Sequence, residues 1–408
     1  MRAAAPARLF YGWVVVAATF VVLFVAFGVA YSFAAFFASF QSEFQASRGD
    51  VSLIFSLSGF LYFVLGAGTG VISDRIGPRW VVVLGVIMLA AGLYLASRAS
   101  ALWQVYATYS LGVGLGVGFA YVPAIGAVQP WFNRRRGLAS GLAVSGIGVG
   151  TLLVPLLAVW LIERTGWRDA FAFMAACSLV LGVAAAMLLD NAPQRRGLAP
   201  DNAPATAAHA PTAKASGAGI REALGTRSFW LLYGSTLCCS MALFIPFVHL
   251  APYARDHGLS ARTGVMLMGL IGVGSIVGRF ALAGFADRLG RRRTLGALYA
   301  GMMLMLAWWL GSSAAWSLAL FALLFGAFYG GFVALAPALI MDYFGAKNVS
   351  GLIGLLYSAA GIGNLVGPTL AGVAYDMQQS YTLPIALSIV CLAGAVACAL
   401  RLPAPARW

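Results

Sequence analysis

Residues 70–79 read Gly70-Val-Ile-Ser-Asp74-Arg75-Ile-Gly77-Pro78-Arg79, and residues 287–292 read Asp287-Arg288-Leu-Gly290-Arg291-Arg292. The second string is the first returning 213 residues later. Phe119 returns as Phe332 and Pro155 as Pro368, both at 213, and Trp131-Phe132 returns as Tyr343-Phe344 at 212. A nearly constant step across four landmarks marks a duplicated unit. Each copy of the charged string follows a long apolar run, so the unit is a set of apolar helices joined by short basic turns.

The composition agrees. The chain has 408 residues, 61% of them hydrophobic and 9% charged, where a soluble domain carries roughly 25% charge. At about 20 residues per bilayer crossing, this supplies twelve spans. They are expected near 11–38, 51–73, 79–98, 101–128, 138–162, 168–189, 229–252, 263–285, 294–312, 315–341, 349–373 and 380–401. The first is longer than the roughly 7–15 residue core of a signal peptide and is read as retained. The expected class is an all-α membrane protein of two six-helix pseudo-symmetric bundles. The bundles are 1–190 and 227–408, joined by a flexible cytoplasmic linker at 191–226 that is rich in Ala and Pro. The five cysteines all lie in apolar runs, so free thiols are expected, with no metal site and no cofactor.

The basic residues set the orientation. Nineteen fall in the even-numbered turns and termini, six on the opposite side, and Arg279 inside a span. Positive charge favours the cytoplasm, so both termini are expected there. The net charge of +14 then reports topology and implies no nucleic-acid partner. Twenty-four Arg against two Lys, with abundant Ala, suggests a GC-rich bacterial source and a plasma (inner) membrane. No oligomer interface is legible, and a monomer is expected.

The string Gly70-x-x-x-Asp74-Arg75-x-Gly77-x-Arg79 resembles the loop 2–3 signature of the major facilitator superfamily. The second copy keeps Asp287, Arg288, Gly290 and Arg292 but has Ala283 in place of the first Gly. These rim residues (Asp74, Arg75, Arg79, Asp287, Arg288 and Arg292) are candidates for a cytoplasmic gate that latches the outward-facing state through charge-assisted contacts. Setting topology alone is the plainer reading of the same arginines.

Arg279 is the unusual charge. It lies in the eighth span, in Gly272-Val-Gly-Ser275-Ile-Val-Gly-Arg279, with Asp287 eight residues away, or about 12 Å along a helix. All twelve carboxylates fall in loops or at helix ends. A membrane Arg costs about 2.5–3.5 kcal/mol on insertion scales. It either snorkels to the headgroups or faces a wet cavity with the substrate as its counter-ion. The distance to the rim favours the second. A guanidinium grips a carboxylate through two parallel hydrogen bonds, so a small carboxylate is the expected partner.

Three further stretches are similar to monocarboxylate transporters and oxalate/formate-type antiporters. They are Tyr11-Gly12-Trp13-Val14-Val15, Trp131-Phe132-Asn133-Arg134-Arg135-Arg136-Gly137 and Ile245-Pro246-Phe247-Val248-His249. That resemblance implies that Arg279 binds the substrate carboxylate. The chain departs from the branch at Ser275, where proton-linked members often have Asp. It also has Ala35 and Ala360 where other members have Lys. One cavity cation balances a monoanion, which favours lactate, pyruvate or formate over oxalate. Tyr31, Tyr121, Tyr329 and Tyr357 are candidate wall residues, because a Tyr offers both a ring and a hydroxyl. Ser275 and Asn364 are minor polar candidates. His249, with Asp256, is a candidate for proton coupling.

A secondary transporter working by alternating access is the expected function, by proton symport or anion exchange. The alternatives are an oxalate/formate antiporter and a proton-coupled exporter of drugs or metabolites. The exporter would want a membrane carboxylate, and none is visible. An enzyme is not expected: an intramembrane protease would need a paired Ser and His in mid-membrane. A sensor would usually carry an added soluble domain.

Overall fold

The computed structural model describes residues 10–132, 135–202, 217–345 and 349–404. Within these segments, the side chains of Asp74, Asp287 and Arg288 lie outside the described residues. The first half holds α1 (Tyr11–Tyr31), α2 (Phe33–Phe44), α3 (Arg48–Ile76) and α4 (Pro78–Ser97). These are followed by α5 (Leu102–Val105), a π-turn at Tyr106–Ser110, α6 (Leu111–Val128) and α7 (Arg136–Met187). After the short α8 (Ile220–Leu224), the second half holds α9 (Arg227–Leu243), α10 (Ile245–Asp256), α11 (Ala261–Leu289) and α12 (Arg291–Leu310). It ends with α13 (Ala315–Phe344), α14 (Val349–Gln378) and α15 (Thr382–Leu400).

Ten stretches of the described residues are long and apolar enough to cross a membrane. One of them, α7, turns at Gly166 (φ 82°) and contributes two spans. A further span is α12, whose first turn carries three arginines. The twelve expected crossings are all present. Hydrophobic composition alone sets this outcome, because in lipid a backbone must satisfy its polar groups within its own helix.

The duplication is written into the backbone. Positive φ recurs at Gln45 and Gly258 (50° and 81°), at Gly77 and Gly290 (89° and 84°), and at Gly166 and Gln379 (82° and 51°). Each pair is 213 residues apart. The first span of each half breaks at the same place, at Ser32 between α1 and α2 and at Phe244 between α9 and α10.

The rim contacts repeat as well. Arg79 donates from Nε to the Leu189 carbonyl (3.3 Å), and Arg292 donates to the Leu402 carbonyl (2.7 Å). Trp131 donates to the Asp190 carbonyl (2.6 Å), and the Tyr343 hydroxyl to that of Pro403 (2.7 Å). Arg79 and Arg292 are two of the candidates for a gate that latches the outward-facing state. In this structure each ties the third span of its own half to the end of the sixth. A helix C-terminus presents unpaired carbonyls, and a guanidinium is the natural donor for them.

The linker is less loose than its composition suggests. Short turns form at Pro193–Arg196 and Pro200–Asn202. Arg196 pairs with Asp190 (2.9 Å) and stacks on the Tyr11 ring (3.5 Å), and Ala218 donates to the Phe344 carbonyl (2.8 Å). Residues 203–216, including His209, lie outside the described residues.

Within the second half, α11 and α13 approach closely. A methyl added at Gly274, Gly278, Gly326 or Gly330 would strike a backbone carbonyl of the facing helix. This is the small-residue packing that replaces a hydrophobic driving force inside a bilayer. The two halves meet along α3 with α14 and along α7 with α11.

Candidate functional site

A cavity of about 50 Å³ lies between the halves. The first half lines it with Phe27, Tyr31, Phe63, Tyr121 and Ile147. The second half contributes Thr236, Ser240, Arg279, Tyr329 and Tyr357 among others. Arg279 is the only cation among these lining residues. The structure therefore brings together Arg279, Tyr31, Tyr121, Tyr329 and Tyr357, which come from five different helices.

The wall is built from ring contacts. Tyr31 stacks on Phe247 across the halves at 4.7 Å, and Phe247 meets Tyr329 edge-on at 5.6 Å. Phe27 packs edge-on against Tyr121 (5.1 Å) and Tyr62 (5.9 Å). Phe63 meets Tyr357 at 5.9 Å. Tyr121 and Tyr357 interact electrostatically with each other and with Arg279. Apolar ring faces with a few convergent hydroxyls and one charge are what a small-ligand pocket requires.

Arg279 has little to hold it. One NH1 donates to the Val144 carbonyl of α7 at 3.4 Å, and Nε is buried without a hydrogen-bond partner. The ion pairs among the described residues are Arg48–Asp256, Arg168–Glu43, Arg196–Asp190 and Arg291–Asp342. None involves Arg279. A guanidinium has five donors and no acceptor, so most of its capacity here is open to an anionic ligand.

Two expected residues stand elsewhere. Ser275 is buried, and its backbone packs against Gly330 in the α11–α13 contact. Asn364 is fully buried between α14 and α3, where its Nδ2 donates to the Ser56 carbonyl (3.2 Å). Neither lines the cavity. Of the gate candidates, Arg75 is exposed, and Asp74, Asp287 and Arg288 lie outside the described side chains.

At one end of the α3–α14 contact the halves are latched by Asp256, named from the sequence in another role, and by Arg48, Tyr375, Asp376 and Tyr381, which sequence reasoning passed over. Arg48 forms a two-pronged pair with Asp256, NH1 to Oδ2 and NH2 to Oδ1, both 2.7 Å. The guanidinium lies 3.8 Å over the Tyr375 ring and donates from NH1 to the Tyr381 hydroxyl (2.6 Å). Asp376 accepts the first backbone N–H groups of α3, from Arg48 (3.0 Å) and Gly49 (2.8 Å). One half thus caps a helix of the other, at the end where a carboxylate is most favoured. The pair is mostly buried, with 13% and 28% of the two side chains exposed. Burial pushes the Tyr381 hydroxyl above its ordinary pKa despite the nearby guanidinium, so it stays protonated.

His249 sits beneath this latch and is fully buried. Its Nε2 lies 2.9 Å from the Pro368 carbonyl and 3.2 Å from the Ser52 hydroxyl, and its Nδ1 lies 3.1 Å from the Tyr381 hydroxyl. Asp256 does not touch it directly. The two are linked through Arg48 and Tyr381. A wider cleft of about 560 Å³ opens beside the latch, lined by Gln41, Gln45, Arg48, Arg255 and Asp256 among others. It is the larger space, but the paired Arg48 leaves it no buried unpaired charge. The smaller cavity, with Arg279 in its wall, is the better candidate for a ligand site.

The model of the Major Facilitator Superfamily matches residues 19–314 and 238–408. The chain belongs to the major facilitator superfamily. Its curated relatives within that superfamily include Monocarboxylate transporter 12-B of Danio rerio, 30% identical over 401 residues, covering 93% of this chain and 84% of the relative. Monocarboxylate transporter 11 of Mus musculus is 27% identical, with 91% and 83% covered. Among solved structures, this facilitator chain is similar to a bacterial homologue of the human lysosomal transporter Spinster. The TM-score is 0.69 at 15% identity, with 98% and 95% covered, which establishes the fold. The protein is a multi-pass membrane transporter with monocarboxylate-transporter-like relatives.

Proposed function

We propose that this protein is a secondary active transporter of a small monocarboxylate anion such as lactate, pyruvate or formate. One observation carries the reading: a lone, unpaired Arg279 in the wall of the cavity between the halves. Arg279 takes the carboxylate as a bidentate partner. Tyr31, Tyr121, Tyr329 and Tyr357 orient it and close over its apolar end. A dicarboxylate would call for a second cation, and the described lining holds only one.

The halves rock about this site in alternating access. The basic bias of 19 against 6 supports cytoplasmic termini, and the excess of Arg over Lys supports a bacterial plasma membrane. With that sidedness the Arg48 latch closes the outer face. Asp74, Arg75, Asp287 and Arg288 form the opposite rim, which would latch when the outer face opens. A monoanion moving alone inward opposes the membrane potential by about 2.3 kcal/mol per 100 mV, so proton symport or anion exchange accompanies it.

The test is transport in proteoliposomes with labelled lactate, formate and oxalate, comparing the wild type with Arg279→Ala. Lactate or formate uptake should fall by at least about 30-fold, the scale for removing one partner of a buried charge pair. Unchanged uptake in the variant would remove Arg279 from the mechanism.

A further inference from the structure

One hydroxyl in the wall of the Arg279 cavity has no partner in the protein. Helix α9 turns Thr236, Ser240, Leu243 and Phe244 to the cavity, at the spacing of a single helix face. Ser240 is buried, and its Oγ makes no hydrogen bond. Other buried serines in the spans turn their hydroxyls onto a carbonyl about one turn back. Ser58 donates to Phe55 (2.8 Å), Ser235 to Leu232 (2.9 Å) and Ser388 to Pro384 (2.7 Å). Ser240 does not take this outlet. A buried hydroxyl left unmet is rare and costly.

The other hydroxyls of the wall are committed. Tyr31 meets Tyr329, and Tyr121 meets Tyr357, hydroxyl to hydroxyl. The Thr236 hydroxyl is engaged by Tyr299 of α12, on the side away from the cavity lining. Among the described lining residues, Ser240 therefore carries the uncommitted hydroxyl, as Arg279 carries the uncommitted charge.

The backbone fixes where this serine stands. Helix α14 packs Gly363 against it so closely that a methyl added to Gly363 would lie 2.6 Å from Ser240 Cβ. The same helix carries Tyr357, which interacts with Arg279. Ser240 and Arg279 thus belong to one half and line one cavity. That cavity is only about 50 Å³, so a single small ligand reaches both. A guanidinium only donates, whereas a hydroxyl donates or accepts. The ligand that answers this pair has a carboxylate and, beside it, a neutral oxygen.

We propose that Ser240 is a specificity-determining residue that hydrogen-bonds an oxygen on the second carbon of the substrate. This rests on the monocarboxylate reading and narrows it to 2-hydroxy and 2-oxo acids. Arg279 holds the carboxylate. Ser240 donates to the 2-oxo group, or exchanges a hydrogen bond with the 2-hydroxyl. Lactate and pyruvate answer both groups. Formate has no second carbon, and propionate leaves Ser240 unmet. A site that hydrogen-bonds a substrate hydroxyl rejects the analogue lacking it, because its own buried group stays unpaired.

The test is initial uptake into proteoliposomes of labelled lactate and of labelled propionate, which differ by the one hydroxyl. Wild type should favour lactate by about ten-fold, the scale of one hydrogen bond. Ser240→Ala should bring lactate uptake to within about two-fold of propionate uptake, and leave propionate near its wild-type rate. Pyruvate should follow lactate in both proteins. Equal uptake of lactate and propionate by wild type would overturn the role of Ser240 and leave the carboxylate reading standing. So would a Ser240→Ala variant that keeps the preference, or one that slows both acids alike, as a purely structural serine would. Wild type that moves neither acid would remove the carboxylate reading, and the role of Ser240 with it.

Discussion

Glu43 and Asp256 occupy the same place in the two halves, 213 residues apart, but their charges are answered differently. Glu43 pairs with Arg168 at 2.9 Å inside the first half. The position matching Arg168 in the second half is Tyr381, which has no charge to offer. Asp256 instead takes Arg48 from the other half, and the counterpart of Arg48 is Ala261. An internal brace in one copy has become a bridge between copies. The first pair is about 40% exposed and the second is mostly buried. The same rule extends to the site. The counterpart of Arg279 is Gly66, and that of His249 is Phe36. Where the copies agree, they build the scaffold, and where they differ in charge, they build the contacts between the halves and the lone cation of the cavity.

The sharpest way to break this comparison is Arg48→Gln. It leaves a mostly buried Asp256 without its guanidinium, a cost of about 1–3 kcal/mol. The equilibrium between closed and open forms of this face should shift by about 5- to 150-fold. Distances between spin labels on the two halves near the latch would report it, and an unchanged distribution would mean that the pair is idle.

A subtler test rebuilds the first-half arrangement. Tyr381→Arg offers Asp256 a partner within its own half, and the closed population should fall by a smaller amount, about 3- to 10-fold. Adding Arg48→Gln to that background should then have little further effect, because the two arginines compete for one carboxylate. Additive effects in the double variant would contradict the comparison.

The smallest effect is expected at the other rim. Arg291 pairs with Asp342 at 2.5 Å in the second half, where the first half has Pro78 and Pro130. Both side chains are about one-third exposed, so the pair contributes about 0–1 kcal/mol. Asp342→Asn should leave transport unchanged and move the thermal midpoint by no more than about 2–4 °C. A loss of transport would give the Arg291–Asp342 pair a role that its exposed geometry does not suggest.

The parts of this molecule that depend on composition and repetition could be read from the sequence. The spans follow from apolar length, and the duplication from the returning Asp-Arg-x-Gly strings. Arg279 stood out because no acid shared its depth, and the tyrosines because their spans surround the centre. Ser275 and Asn364 could not be placed by spacing alone. Ser275 is one turn from Arg279, but the close α11–α13 contact turns its backbone toward Gly330. Asn364 is two turns from Tyr357, by which point α14 has left the cavity and lies against α3. The latch was hidden because Arg48 and Tyr381 are 333 residues apart and join only when both halves are assembled. One signal was available: the 213-residue offset sets Tyr381 against Arg168 and exposes the unanswered charge on Asp256.

The glycine contact between α11 and α13 has a mechanical consequence. Arg279 rides on one of these helices and Tyr329 on the other, and backbones in direct contact cannot slide apart without opening a void. The guanidinium and this phenol therefore travel as a single fixed jaw. Tyr31 and Tyr121 sit on the first half, so any widening of the cavity between the halves parts them from this rigid pair.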